Sequence, residues 1–285
     1  MRANLVSVAD LDRLSRDGTV AIFDCRFSLT DPDAGRAAYE GSHIPNARYV
    51  DLERDLSGPI SSNTGRHPLP QFSEWCERIS KLGLGSSNPV AVYDGGPGVF
   101  AARLWWMLAW AGIDNVLLVD GGFSEWRKQS LPLEFGDERD SQSVPTGETR
   151  AYNLPHAPEV DAQFLMERLE DPQSLVLDAR EEERFSGRKE PLDKKAGCIP
   201  GALNRHFALN LSGGIFKSSE TLKREFEEAL QGLPPQAIVH SCGSGVTACH
   251  NLFAMEYAGL SGSRLYPGSW SEWITDPSRP VEVRG

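Results

Sequence analysis

The chain has 285 residues, 40% hydrophobic and 24% charged, the composition of a soluble globular protein long enough for two domains of ordinary size. Its 29 basic and 40 acidic side chains give a formal net charge of −11, which leaves no basic stripe to neutralise nucleic-acid phosphates. The N-terminal stretch MRANLVSVADLDRL lacks the apolar core of a secretion signal, and no apolar run reaches the ~18 residues of a membrane span, so the expectation is a cytoplasmic protein with neither nucleic acid nor membrane as partner.

In chain order, a buried strand is predicted at VAIFDCR (20–26), ending in Asp24-x-Arg26. GSHIPNARYVDL (41–52) follows, then a helical pattern in SEWCERISKLGL and the strand–turn–helix VAVYDGGPGVFAARLWWMLAWAG (90–112). A further strand, VLLVD, runs into VDGGFSEW (119–126). The segment 135–160 is polar, holds three prolines and shows no apolar period, and reads as connecting chain. The series then repeats: LVLDAR (175–180), AGCIPGALNRHFAL (196–209), the helical TLKREFEEALQGL, AIVHSCGSGVTACHNLFAMEYAG (237–259) and YPGSWSEW (266–273).

Matching glycines and SEW segments stand 147 residues apart, the signature of a tandem duplication. Domain one is expected at 1–138, a linker at 139–154 and domain two at 155–285. Strands alternating with helices predict two α/β domains, each a mostly parallel sheet with helices on both faces. Ligand sites of such sheets lie at the carboxyl ends of the strands, here after Asp94 and Ser241.

The five cysteines (Cys25, Cys76, Cys198, Cys242 and Cys249) are odd in number and follow no framework spacing, so reduced thiols are expected. None pairs at zinc-knuckle spacing, and neither a metal nor an organic cofactor is implied. At the fixed offset Cys242 aligns with Gly95, Gly243 with Gly96, Ser244 with Pro97 and Gly245-Val246 with Gly98-Val99. The glycines are therefore the property of the turn, and the thiol and hydroxyl belong to one copy alone. Successive N–H groups opening a helix make an anion cradle, and a thiolate there is stabilised by the helix dipole.

Three chemistries use such a loop. A phosphate-binding P-loop needs Gly-Lys-Ser/Thr, but Val246 and Thr247 follow Gly245. A cysteine phosphatase needs an arginine six residues after the cysteine, where this chain has Ala248. The third is sulfur transfer, in which the thiolate accepts a sulfur atom and carries it as a persulfide. Cys249, two helical turns beyond Cys242, and the Leu104-Trp105-Trp106-Met107 run read as core, as do Asp24 and Asp178, which both copies keep.

The two α/β repeats, the HIPNA and CIPGA segments, the paired SEW segments and the loop CGSGVTAC together resemble the rhodanese superfamily over nearly the whole chain. The loop is similar to that of members using 3-mercaptopyruvate, whereas thiosulfate-using members carry basic residues after the cysteine. The resemblance implies a sulfurtransferase with Cys242 as nucleophile. It implies proton transfer by Ser244 with His67 and Glu53, and a carboxylate grip by Arg184. Gly243, Gly245, Val246 and Thr247 would form the substrate loop. The implied partners are a small-molecule donor (3-mercaptopyruvate, or alternatively thiosulfate) and an acceptor: a thiol, possibly of a thioredoxin-like protein, or cyanide. An inactive binding module is the reading of a different class. One departure stands out: Leu192 occupies the place of a second arginine, leaving Arg188, Lys194 or Lys195 to supply that charge.

Overall fold

A computed structural model describes residues 1–83, 89–136 and 157–284. The segment expected as linker, 139–154, lies outside the described residues. The elements run β1 (Asn4–Val6), α1 (Val8–Arg16), β2 (Ala21–Asp24), α2 (Ala34–Gly41), β3 (Ala47–Tyr49), α3 (Phe72–Lys81), β4 (Val90–Tyr93), α4 (Val99–Trp110), β5 (Val116–Val119) and α5 (Gly122–Lys128). The second series runs α6 (Ala162–Met166), β6 (Leu175–Asp178), α7 (Glu182–Ser186), β7 (Leu203–Asn204), β8 (Leu211–Ser212), β9 (Ile215–Phe216), α8 (Ser219–Ala229), β10 (Ile238–Ser241), α9 (Thr247–Tyr257), β11 (Arg264–Leu265) and α10 (Ser269–Trp273).

The chain forms two compact units that do not follow the sequence halves throughout. Unit 1 comprises Met1–Ser57, Pro70–Ala157 and Gly213–Phe216; unit 2 comprises Gly58–Leu69, Pro158–Ser212 and Lys217–Gly285. Gly58–Leu69 contains neither helix nor strand, so its backbone groups need partners elsewhere. Some of them are in unit 2, where the Arg66 N–H donates to the Ser271 hydroxyl at 3.0 Å. A segment read as part of the first repeat thus brings His67 into the unit that holds Cys242.

Unit 1 has a parallel sheet in the order β1-β5-β4-β2-β3 and unit 2 one in the order β11-β10-β6-β7. The central strands β4 and β10 are buried along their whole length, as parallel strands covered on both faces require. The helices that follow them are buried nearly all round, which fits their continuous apolar runs better than an amphipathic stripe. Trp105 and Trp106 are core residues, as expected.

The duplication extends to buried detail. Arg26 grips Asp24 and donates to the Ser42 carbonyl; Arg180 grips Asp178 and donates to the Gly197 carbonyl. His43 bridges to Glu134 through two backbone hydrogen bonds, and Cys198, its counterpart, bridges to Glu282 in the same way. Cys198 thus sits on the backbone bridge that His43 occupies in unit 1, and burial pushes its thiol up to about 11. Trp126 and Trp273 each donate their indole N–H to a proline carbonyl, Pro132 and Pro280.

His240, in the middle of β10, is fully buried; its Nε2 meets the Ser263 hydroxyl at 3.1 Å, and its Nδ1 has no hydrogen-bond partner. Burial, followed by the nearby Arg205 charge, holds its pKa down to about 3. The folded state keeps the ring neutral while the unfolded chain takes up a proton below pH ~6.5. Stability is therefore complete above that pH and lost as pH falls, at about 1.4 kcal/mol per unit. Between pH 6.5 and 5, denaturant titration is expected to cost the wild type about 2 kcal/mol more than His240→Leu; parallel pH slopes would contradict this.

Candidate active site

The turn after the central strand is where the two units differ. Strand register fixes the correspondence: Asp24 sits opposite Tyr93, and Asp178 opposite Ser241. The next residues, Asp94 and Cys242, are therefore equivalent. Backbone contacts agree, because the Asp94 carbonyl accepts from Phe123 and the Cys242 carbonyl from Trp270. Gly98 and Gly245 then match in left-handed conformation, with φ +82° and +77°. The loop of unit 1 is thus one residue longer, and the fixed offset of 147 slips by one before the glycine. The equivalent of Cys242 is Asp94, not Gly95.

That correction changes the chemistry. In unit 1 the buried Asp94 carboxylate accepts from the N–H groups of Gly96, Gly98 and Phe100, each at 2.9 Å. Burial pushes this carboxyl up, and those amides act against the shift. In unit 2 the Gly245 N–H donates to Cys242 Sγ at 3.1 Å. The turn needs an acceptor as well as glycine: unit 1 supplies a carboxylate, unit 2 a sulfur. Gly245 has no alternative, since any Cβ would strike the Pro267 carbonyl and its φ suits glycine alone.

Cys242 is 1% exposed. Its N–H donates to Ser269 Oγ at 3.0 Å, and that hydroxyl also lies 3.9 Å from Sγ. Ser269 has φ +52° where unit 1 has Gly122 at +53°, a strained placement for a side chain that puts its hydroxyl beside the thiol. Sequence reasoning missed Ser269, although a serine replacing the glycine of GGFSEW was a visible signal. Val246 caps α9, Thr247 opens it, and the Cys249 thiol is turned to the Gly245 carbonyl.

His67 Nδ1 lies 2.8 Å from Ser244 Oγ, and both residues are buried. The pairing depends on how closely 65–67 lies on the loop: a Cβ on Gly65 would stand 2.7 Å from both the Gly268 carbonyl oxygen and Ser271 Oγ. Ser271 in turn donates its N–H to the Gly243 carbonyl. Glu53, the expected acid, is an exposed residue of unit 1 whose N–H donates to Asp51.

Arg184 lies beside the loop, its Nη1 and Nη2 each 3.4 Å from where a Gly243 Cβ would sit. Glu190 holds it in a two-pronged pair, with Nη2 also 3.0 Å from Asp193. A second arginine, unforeseen from the sequence, is closer: Arg66 Nη2 stands 2.8 Å from the same point. Its Nε and Nη2 donate to the two oxygens of Asp193 at 2.9 and 3.2 Å. Of the expected substitutes, Arg188 instead pairs with Glu182 in an exposed contact. Lys194 and Lys195 line a cavity of about 460 Å³ together with Arg66, Leu192 and Asp193.

Two duplicated parallel α/β units with a buried cysteine on the turn of the second define the class. The rhodanese-like domain family matches residues 7–129 and 161–276, and the chain belongs to that family. It is 45% identical over 282 residues to the probable 3-mercaptopyruvate sulfurtransferase of Pseudomonas aeruginosa, covering 98% of each chain. It is 36% identical over 292 residues to the putative thiosulfate sulfurtransferase SseB of Mycobacterium tuberculosis, covering 97% of this chain and 96% of the relative. The crystal structure of SseA from Escherichia coli, a 3-mercaptopyruvate sulfotransferase, matches with a TM-score of 0.79 at 29% identity, covering 95% and 100%. Among the described residues, no helix is long and apolar enough to cross a membrane.

Gly65→Ala should lift the 65–67 segment off the loop. Steady-state kinetics should show kcat/KM down by about tenfold or more, with thermal unfolding little changed. An unaltered kcat/KM would show that the close approach is dispensable.

Proposed function

We propose that the chain is a sulfurtransferase that takes sulfur from 3-mercaptopyruvate onto Cys242 as a persulfide and passes it to a thiol or cyanide, releasing pyruvate. The observation that carries this reading is the replacement of the amide-filling carboxylate of unit 1 by a thiol accepting the same glycine N–H. The names of the relatives from Pseudomonas aeruginosa and Escherichia coli support the donor.

The Cys242 thiolate attacks the donor's thiol sulfur. The S–S bond forms as the donor's C–S bond breaks, and the electron pair left on carbon takes a proton. The donor's own S–H supplies it, so persulfide anion and pyruvate balance the step. Ser244 and His67, 2.8 Å apart, carry that proton from sulfur to carbon. Arg184 binds the donor's carboxylate. The backbone of Gly243, Gly245, Val246 and Thr247 holds the terminal sulfur. A thioredoxin-like protein, a small thiol or cyanide then removes it.

The relative named as a putative thiosulfate sulfurtransferase keeps thiosulfate as the second reading. The neutral side chains of the loop itself, Gly243 and Ser244, favour the first.

Pyruvate release from 3-mercaptopyruvate tests the assignment. Cys242→Ser is expected to abolish it, and Ser244→Ala or His67→Gln to lower kcat by about 10²–10⁴-fold. Pyruvate release at wild-type rate by Cys242→Ser would overturn the reading.

A further inference from the structure

Unit 1 has a cavity of its own at the carboxyl end of its sheet, beside the turn that corresponds to the Cys242 loop. Its volume is about 340 Å³, and Arg26, Phe27, Ala34, Ala38, Pro97 and Phe100, all of unit 1, are among the residues that line it. Pro97, just before the left-handed Gly98, stands where unit 2 has Ser244, and Asp94 where it has Cys242. The thiol and hydroxyl are gone, while the cavity remains. Its walls are mostly apolar. Phe27 and Phe100 meet edge to face, with ring centroids 5.6 Å apart. Ala34 and Ala38, four residues apart on α2, share one helix face and leave room beside it. The helix packs hard on the Arg26 backbone, since a Cβ on Gly35 would stand 2.2 Å from the Arg26 carbonyl oxygen.

One strong donor interrupts that apolar surface. Arg26 gives Nε and Nη2 to Asp24, and Nη2 also to the Ser42 carbonyl. The Phe123 ring covers the flat face of the guanidinium at 4.1 Å. Among the described residues, none accepts a hydrogen bond from Nη1. The duplicate shows how that edge is used in unit 2. Arg180 makes the same contacts with Asp178 and the Gly197 carbonyl, lies over Trp270, and turns its Nη1 to Glu190 at 3.5 Å. Arg26 has no such carboxylate, and its side chain is 11% exposed against 1% for Arg180.

We propose that the cavity of unit 1 is a second ligand site, taking an uncharged molecule with an apolar body the size of an aromatic ring and one carbonyl that accepts from Arg26 Nη1. Small-ligand sites are mainly apolar cavities with a few placed polar groups, and an aromatic corner suits a flat ring. Charge selects the class. Arg26 is already neutralised by Asp24, and the Asp94 carboxylate sits beneath three amides. An anion therefore finds no spare positive charge, and a cation meets the guanidinium. An uncharged acceptor completes the donor set of Arg26 without a charge to desolvate. The site holds whether or not Cys242 transfers sulfur.

Benzamide, benzoate and benzylammonium share one ring and differ in charge, so they probe the site directly. Ligand-detected NMR titrations on the full-length protein should show saturable benzamide binding with a Kd of roughly millimolar. Benzoate and benzylammonium should bind about tenfold more weakly or worse. Ala38→Trp, which places an indole in the cavity, should weaken benzamide binding about tenfold or more. Leu192→Trp, on the separate cavity of unit 2, should leave it unchanged. No saturable benzamide binding to the wild type, binding that survives Ala38→Trp, or binding lost in Leu192→Trp would each overturn the site. Tighter binding of either charged probe would overturn the stated ligand class. Should Ala38→Trp fail to fold, Ala34→Leu, which fills the same space from the preceding turn of α2, decides.

Discussion

Backbone N–H groups at the end of a buried parallel strand have to be given an acceptor. In this chain, that requirement appears twice, on equivalent turns, and is met by different chemistry. Unit 1 places the Asp94 carboxylate under three amides, which closes the cradle with the protein's own anion. Unit 2 shortens the loop by one residue and places Cys242 there, so the glycine amide points at sulfur. Ser241, one residue before it, has a buried hydroxyl without a hydrogen-bond partner. The acceptor position filled by a carboxylate in one unit holds the proposed nucleophile in the other. It also explains why unit 1 retains the glycine geometry with a carboxylate and no thiol on its turn.

Around that position the structure gathers pieces far apart in sequence. Gly65, Arg66 and His67 lie on the loop through a missing Cβ, a backbone hydrogen bond to Ser271 and a hydroxyl–imidazole contact with Ser244. The stretch after α7 provides Glu190 and Asp193, which pin the arginine tips. Such buried ion pairs are weak sources of net stability because desolvation offsets their attraction. Their use here is to fix positively charged groups in one place, where a flexible lysine would wander.

Much of this was legible in the sequence, for definite reasons. Repeats make strands, helices and the left-handed glycines recognisable, because the same backbone demand recurs at Gly98 and Gly245. Cys242, Ser244, His67 and Arg184 lie in one unit as the family resemblance implied, whereas Glu53 is an exposed residue of the other. What failed was register: an ungapped offset set Cys242 against Gly95, because sequence similarity sees glycines and not hydrogen-bond acceptors. Arg66 and Asp193 were hidden because their pairing spans 127 residues, and an ordinary Gly-Arg-His tripeptide carries no periodicity. Leu192 pointed to a missing charge, but only the inclusion of Gly58–Leu69 in unit 2 shows that Arg66 stands beside Gly243.

The central claim is that sulfur is carried on the cysteine that takes the place of the amide-filling carboxylate. Intact-mass analysis of the protein after brief exposure to 3-mercaptopyruvate without acceptor, followed by peptide mapping under non-reducing conditions, addresses it directly. The account predicts one adduct of ~32 Da, a single sulfur atom held in the covalent intermediate, on the peptide containing Cys242 and removable by a thiol. An adduct on Cys25, Cys76, Cys198 or Cys249 with none on Cys242, or pyruvate released while no sulfur is retained, would contradict it.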